Sequence, residues 1–171
     1  CENMGLLKMD FLGLRTLSVI ERAKLLIRKT LSKDAVWDAV GRDREQGGPH
    51  PLDLDRLTYD DQRVFEMFRR GDTTGVFQFE SGGMRRLLVG MKPERLEELI
   101  AANALCRPGP MDLIPDYNRR KHGQDDVPEV HEIVDRFTAE TYGVMVYQEQ
   151  VMQIVHELGG IPLRSAYTLI K

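Results

Sequence analysis

Of the chain's 171 residues, 42% are hydrophobic and 30% charged, with 24 Lys and Arg against 27 Asp and Glu and a formal net charge of −3. That balance belongs to a folded globular chain and excludes wholesale disorder, and no apolar run reaches the ~18–20 residues of a membrane span. A small, strongly basic DNA-coating protein is excluded as well, although local charge rather than the total decides whether a surface binds nucleic acid.

The length suits one domain or a large piece of one. The chain opens at Cys1 with no methionine or signal-like segment and closes at Lys171 directly after Leu169 and Ile170, so a fragment of something longer is expected. Cys1 and Cys106 have no framework spacing, which fits a reducing compartment. His50, His122, His131 and His156 stand singly, so no structural zinc site is expected.

In chain order, Leu6 to Phe11 alternates as a strand, with Leu7, Met9 and Phe11 on one face and Lys8 and Asp10 on the other. Gly13 breaks it, and Thr16 is placed to cap a helix running to about Lys29. Val19, Ile20, Ala23, Leu26 and Ile27 form the apolar stripe of that helix, and Arg22, Lys24, Arg28 and Lys29 leave its other face basic. Residues 41–51 read as a Gly, Pro and charge-rich surface loop. A short helix is expected over 60–70, with Val64, Phe65 and Phe68 inward and Gly71 ending it.

Val76 to Phe79 reads as a short extended segment before Ser81, a cap for the next helix. Pro93 is expected to open another, burying Leu96, Leu99, Ile100 and Ala104. Two prolines around a glycine make 107–110 a rigid turn. The densest basic cluster follows: Arg119, Arg120 and Lys121. After an acidic linker come a short helix over 130–137 and a stronger one over 146–158, where Val151, Ile154, Val155 and Leu158 keep the helical period. Gly159 and Gly160 stop it, and Pro162 starts a last helix. The expected fold is mainly α with one short strand at the front.

Three groups of residues carry candidate chemistry. Lys8 and Asp10 share a strand face, so a carboxylate fit for a hard cation lies beside an ammonium fit for phosphate charge. The pattern alone favours a salt-bridged pair on a solvated face. Arg107 on its rigid turn suits two-oxygen recognition of phosphate or carboxylate; tying the turn to a neighbouring helix end is an equal reading. Arg119, Arg120 and Lys121 suit a nucleic-acid backbone, or form an ordinary solvated helix face. Arg85 and Arg86 after Gly82 and Gly83 are a weaker phosphate candidate. Tyr147, Gln148, Gln150 and Gln153 read as an exposed polar face.

Four ordered strings go beyond pattern: Gly5 to Leu17 (GLLKMDFLGLRTL), Thr74 to Met84 (TGVFQFESGGM), Ala104 to Met111 (ALCRPGPM) and Tyr142 to Ile154 (YGVMVYQEQVMQI). The first closely resembles a palm-domain motif, and the others fingers-domain motifs, of the C-family replicative DNA polymerases, the alpha subunits of bacterial DNA polymerase III. Arg120 to Gly123 (RKHG) fits between the last two. The chain also departs from that pattern: Cys106 stands where an aromatic residue is usual, Tyr167 replaces an aspartate, and Ile170-Lys171 replace an arginine pair that reaches the triphosphate.

The resemblance implies a palm edge over 1–15 and an incomplete helical fingers domain over 16–171. It implies that Asp10 is one of three aspartates holding two Mg2+ ions, the other two lying in an upstream motif. Lys8 would face the phosphates of the incoming nucleotide, joined by Lys171 and with Arg107 as a further candidate. Arg119, Arg120 and Lys121 would contact DNA. The implied activity is template-directed DNA synthesis by two-metal nucleotidyl transfer in the full-length chain, the isolated segment being inactive. Expected partners are primer–template DNA, deoxynucleoside triphosphates, and a sliding clamp and other replicase subunits reached through other regions. The rival expectation is a non-catalytic helical module that binds DNA or docks a protein.

Overall fold

The computed structural model describes residues 5, 9, 13–40 and 52–170, and the chain divides into two compact units, Cys1–Thr58 and Tyr59–Lys171. The regular structure among the described residues is helical. The strand expected over 6–11, Met9 apart, and the loop expected over 41–51 lie outside the described residues.

In the first unit, α1 spans Arg15–Thr30 and α2 spans Lys33–Val40, followed by a 3₁₀ turn at Leu54–Arg56. Thr16 does not cap α1. Leu14 stays extended at the cap position and Thr16 falls within the first turn, without a side-chain cap. The expected stripe is present on α1, yet no residue of this helix is buried; Val19 and Leu26 are more than half exposed. Sequence inspection passed over α2, although its signal is legible: the Ser32 hydroxyl accepts from the Ala35 N–H at 3.1 Å, as a helix cap does.

The second unit holds the core. Its helix α3 (Gln62–Arg70) is capped by Asp61, whose carboxylate accepts from the Arg63 N–H at 3.0 Å. It ends at Gly71, where the Gly71 and Asp72 N–H groups bond to Phe68 and Met67 carbonyls, the paired closure that needs a left-handed residue. Phe65 and Phe68 are buried, but Val64 points outward: the buried arc of the helix runs from Phe65 to Phe68, and Val64 falls about 40° beyond Phe68, on the far side from Phe65.

Residues 73–80 are not extended. Gly75 and Gln78 both take positive φ, and Val76 N–H bonds to Thr73 O and Phe79 N–H to Val76 O, making successive turns. The buried Thr73 hydroxyl donates to Phe79 O at 2.5 Å and closes the loop on itself. Phe79 then meets Phe68 edge-on, centroids 5.1 Å apart, a favoured aromatic geometry.

Helix α4 (Gly82–Met91) begins where expected, with the Ser81 hydroxyl accepting from Met84 N–H. It buries Met84, Leu87, Leu88 and Met91 and is the central helix, packing on α3, on α5 (Leu96–Leu105) and on α6 (Ile114–Lys121). Pro93 does not open α5. Lys92 turns left-handed, the fully buried Pro93 packs inside, and the helix starts three residues later. Leu99, Ala101, Ala102 and Leu105 enter the core, whereas Leu96 and Ile100 remain exposed. A 3₁₀ turn at Pro110–Leu113 joins α5 to α6.

Helices α7 (Glu132–Thr138), α8 (Gln148–Gly159) and α9 (Leu163–Ile170) complete the unit, α8 packing on both neighbours. On α8, Ile154 is buried, Val151 and Val155 are half-buried, and Leu158 is exposed. Between α7 and α8 the chain turns through two left-handed residues, Tyr142 and Gly143. A Cβ at Gly143 would lie 2.7 Å from Val127 Cγ1. Gly143→Ala combines that crowding with an unfavourable φ and is expected to destabilise the chain by about 1–2 kcal/mol. A lowered urea midpoint checks this; an unchanged midpoint refutes it.

Candidate functional site

Helices α5 and α6 are the two arms of a hairpin whose tip is the proline turn; each arm packs on α4 and on the 3₁₀ turn, and the arms meet through the Glu98–Lys121 pair. Cys106 ends α5, Gly109 takes φ 103°, and Met111 N–H bonds back to Arg107 O. Arg107 is exposed at that tip, and its guanidinium makes no hydrogen bond or ion pair with the described residues. A planar five-donor cation held on a rigid turn, without a partner among the described residues, is available to an anion.

At the other end of the hairpin lies a buried polar cluster. Glu98, in the first turn of α5, is 2% exposed. One carboxylate oxygen accepts from the Glu94 N–H at 2.8 Å; the other accepts from the Tyr142 hydroxyl at 2.8 Å and meets Lys121 Nζ at 3.2 Å. Arg95 approaches the same oxygen at 3.6 Å. Burial alone would raise the Glu98 carboxyl, but these donors outweigh it and hold the group below its ordinary value, hence ionised. Tyr117, fully buried, packs edge-on against Tyr142 at 5.2 Å, and burial followed by the Glu98 charge raises its hydroxyl well above the usual range.

The basic run therefore divides. The Lys121 side chain is 5% exposed and belongs to the Glu98 pair, so it is not a solvated cation. Arg120 donates to Tyr142 O at 3.4 Å, a long contact. Arg119 bridges Asp116 and Asp125 at 2.5 and 2.6 Å, and all three side chains are about 45% exposed. Exposed pairs of this kind are held weakly, by ~0–1 kcal/mol, and a phosphate can replace the carboxylates.

Gln150 is not on an exposed polar face. It is buried, and its amide oxygen accepts from Val146 and Tyr147 N–H at 2.7 and 2.9 Å. Its nitrogen donates to Phe137 O at 3.0 Å and to the Thr141 hydroxyl at 2.8 Å. Thr141, also buried, in turn donates to Val144 O at 2.6 Å. All four bonds of the amide are made, which is what burial of such a group requires. Burial likewise raises the Tyr147 hydroxyl, to about 12.

Arg85 donates to the Thr74 hydroxyl at 2.9 Å, tying the 73–80 loop to α4, while Arg86 is exposed. Lys8, Asp10 and Lys171 lie outside the described residues. Among the described residues no three His, Cys, Asp or Glu side chains come together as a metal site, and no helix is long and apolar enough to cross a membrane. Glu98, Tyr142 and Thr141 escaped sequence reading altogether. The one available signal for Gln150 was its place three residues after Tyr147, the cap of α8, where an amide can turn back to the helix entrance.

Residues 16–171 match the family described as the bacterial DNA polymerase III alpha subunit finger domain. The DNA polymerase III subunit alpha of Thermus aquaticus is 44% identical over 170 residues, covering 96% of this chain and 12% of that protein. Its namesake in Bacillus subtilis is 43% identical over 165 residues, with 96% and 13% covered. That of Deinococcus radiodurans is 42% identical over 172 residues, with 96% and 12% covered. The chain thus spans 12 to 13% of the length of these relatives.

Proposed function

The chain belongs to the finger-domain family of bacterial DNA polymerase III alpha subunits, and we propose that within its parent protein it serves template-directed DNA synthesis by nucleotidyl transfer. The observation that carries the reading is Arg107: a guanidinium with no partner among the described residues, at the tip of a proline-stiffened hairpin, in a family of this name. In this reading Arg107 binds the triphosphate of the incoming deoxynucleotide, with Lys8 and Lys171 adding positive charge. An arginine offers two parallel N–H bonds to phosphate oxygens, which orient as well as attract.

The basic run faces primer–template DNA through Arg119 and Arg120, whose present partners are exposed carboxylates and a backbone oxygen. Lys121 anchors that run instead of neutralising phosphate. Asp10 supplies one ligand of a Mg2+ site whose other carboxylates lie outside this chain, a role supported by the string from Gly5 to Leu17. The ion would stabilise charge at the transferring phosphate. In this reading the parent works in the bacterial cytoplasm and meets a sliding clamp and other replicase subunits through regions outside this chain.

Arg107→Ala in the full-length polymerase tests the reading. Loss of a charge-assisted pair worth ~1.5–3 kcal/mol raises the KM for deoxynucleotide about 10- to 100-fold. Arg107→Lys recovers only part of this, since a point charge lacks the fork. Steady-state primer extension reads both, and a wild-type KM and kcat for Arg107→Ala overturns the assignment.

A further inference from the structure

The hairpin has two ends, and they differ in kind. Its tip is exposed over 107–109 and presents Arg107, with Cys106 and Pro110 half-buried on either side. Its base is closed by the buried pair of Glu98 near the start of α5 and Lys121 at the end of α6. Each partner stands seven residues from the tip-proximal end of its helix, about 10 Å of helical rise. Both helices lie on α4. The base contact therefore fixes how far α5 and α6 diverge, and through two stiff helices it fixes where the tip sits.

From this arrangement we infer that Glu98 and Lys121 are positioning residues for nucleotide binding, acting through Arg107 without touching the nucleotide. The inference rests on the reading of Arg107 above. Its physical content is leverage. A helix end freed by an ångström or two at the base carries a comparable displacement to the tip, and two-oxygen recognition by a guanidinium tolerates little of it. The remaining contacts of Glu98 support the same role. Glu94 N–H and the Tyr142 hydroxyl hold the carboxylate in one orientation, so its free lone pairs can only point at Lys121 and Arg95.

The test is a double-mutant cycle in the full-length polymerase, comparing wild type, Arg107→Ala, Lys121→Met and the combination. Lys121→Met is expected to raise the deoxynucleotide KM about tenfold while kcat stays within about twofold, and Lys121→Arg is expected to restore KM. In the Arg107→Ala background, Lys121→Met adds nothing further to KM. Equal effects in both backgrounds, or a wild-type KM for folded Lys121→Met, overturn the inference. If Arg107→Ala itself leaves KM unchanged, the reading of Arg107 fails first and visibly, and the positioning role falls with it. Should Lys121→Met fail to fold, Glu98→Leu with Lys121→Met leaves no unpaired buried charge. That pair is expected to show the same KM increase, and a wild-type KM in it refutes the role.

Discussion

Full-length polymerase carrying Asp10→Asn is expected to lose primer extension by about 10³-fold, equivalent to ~4 kcal/mol of barrier. The substitution changes almost nothing but charge. An amide oxygen occupies the same place as the carboxylate oxygen, yet it brings no negative charge to offset a divalent cation, and hard cations depend on that charge. Primer–template affinity is expected to stay close to wild type, because the basic surfaces proposed to hold DNA are untouched. Raising Mg2+ is expected to recover only a small part of the rate. Extension within about threefold of wild type at saturating Mg2+ would remove Asp10 from the metal-binding set. A normal circular dichroism spectrum for the variant keeps misfolding out of the interpretation.

The largest effect on stability is expected at Glu98. Replacing it by alanine strands the Lys121 ammonium, the Tyr142 hydroxyl and the Glu94 N–H in a nearly dry site. Breaking one side of such a pair costs ~3–5 kcal/mol, a large share of the ~5–15 kcal/mol that typically holds a domain together. Glu98→Leu with Lys121→Met is expected to cost clearly less, since it removes both charges together. The pair also makes stability depend on acid. The folded Glu98 carboxyl sits below its ordinary value of 4.5, so near that pH the unfolded chain binds more protons than the folded one. Its contribution is complete above 4.5 and is lost as pH falls through the lower folded value. Urea denaturation at pH 7 and at about pH 3 measures this. The gap between wild type and Glu98→Gln should narrow at the lower pH, and a constant gap would separate the pair from the acid response.

Local grammar was legible, and long-range partnership was not. Ser81 before a helix, Gly71 and Gly160 after one, and the proline turn at 107–110 act within a few residues, so their meaning is written beside them. Val76 to Phe79 misled because alternation of apolar residues also occurs across successive tight turns, and the deciding residues, Gly75 and Gln78, act by φ rather than polarity. The faces of α3, α5 and α8 were each rotated in part, with Val64, Ile100 and Leu158 exposed, because a short helix has too few turns for its period to fix a direction. Lys121 shows the limit most plainly. Three adjacent cations look alike in sequence, and only a carboxylate 23 positions earlier distinguishes the third. At the site, Arg107 was legible through its turn, whereas the base that holds the hairpin was not.

The two buried polar clusters differ in the length of chain each must bring together. Gln150 reaches back 13 residues to Phe137, whereas the Tyr142 hydroxyl reaches back 44 to Glu98. Loop-closure entropy grows by ~0.6 kcal/mol per doubling, so the longer contact carries about 1 kcal/mol more of ordering cost. The Gln150 cluster can thus close as a local knot on its own segment. The Glu98 cluster must order a longer stretch of chain, so its formation is tied to the rest of the tertiary fold, and the base of the hairpin couples the position of its tip to the integrity of the whole unit.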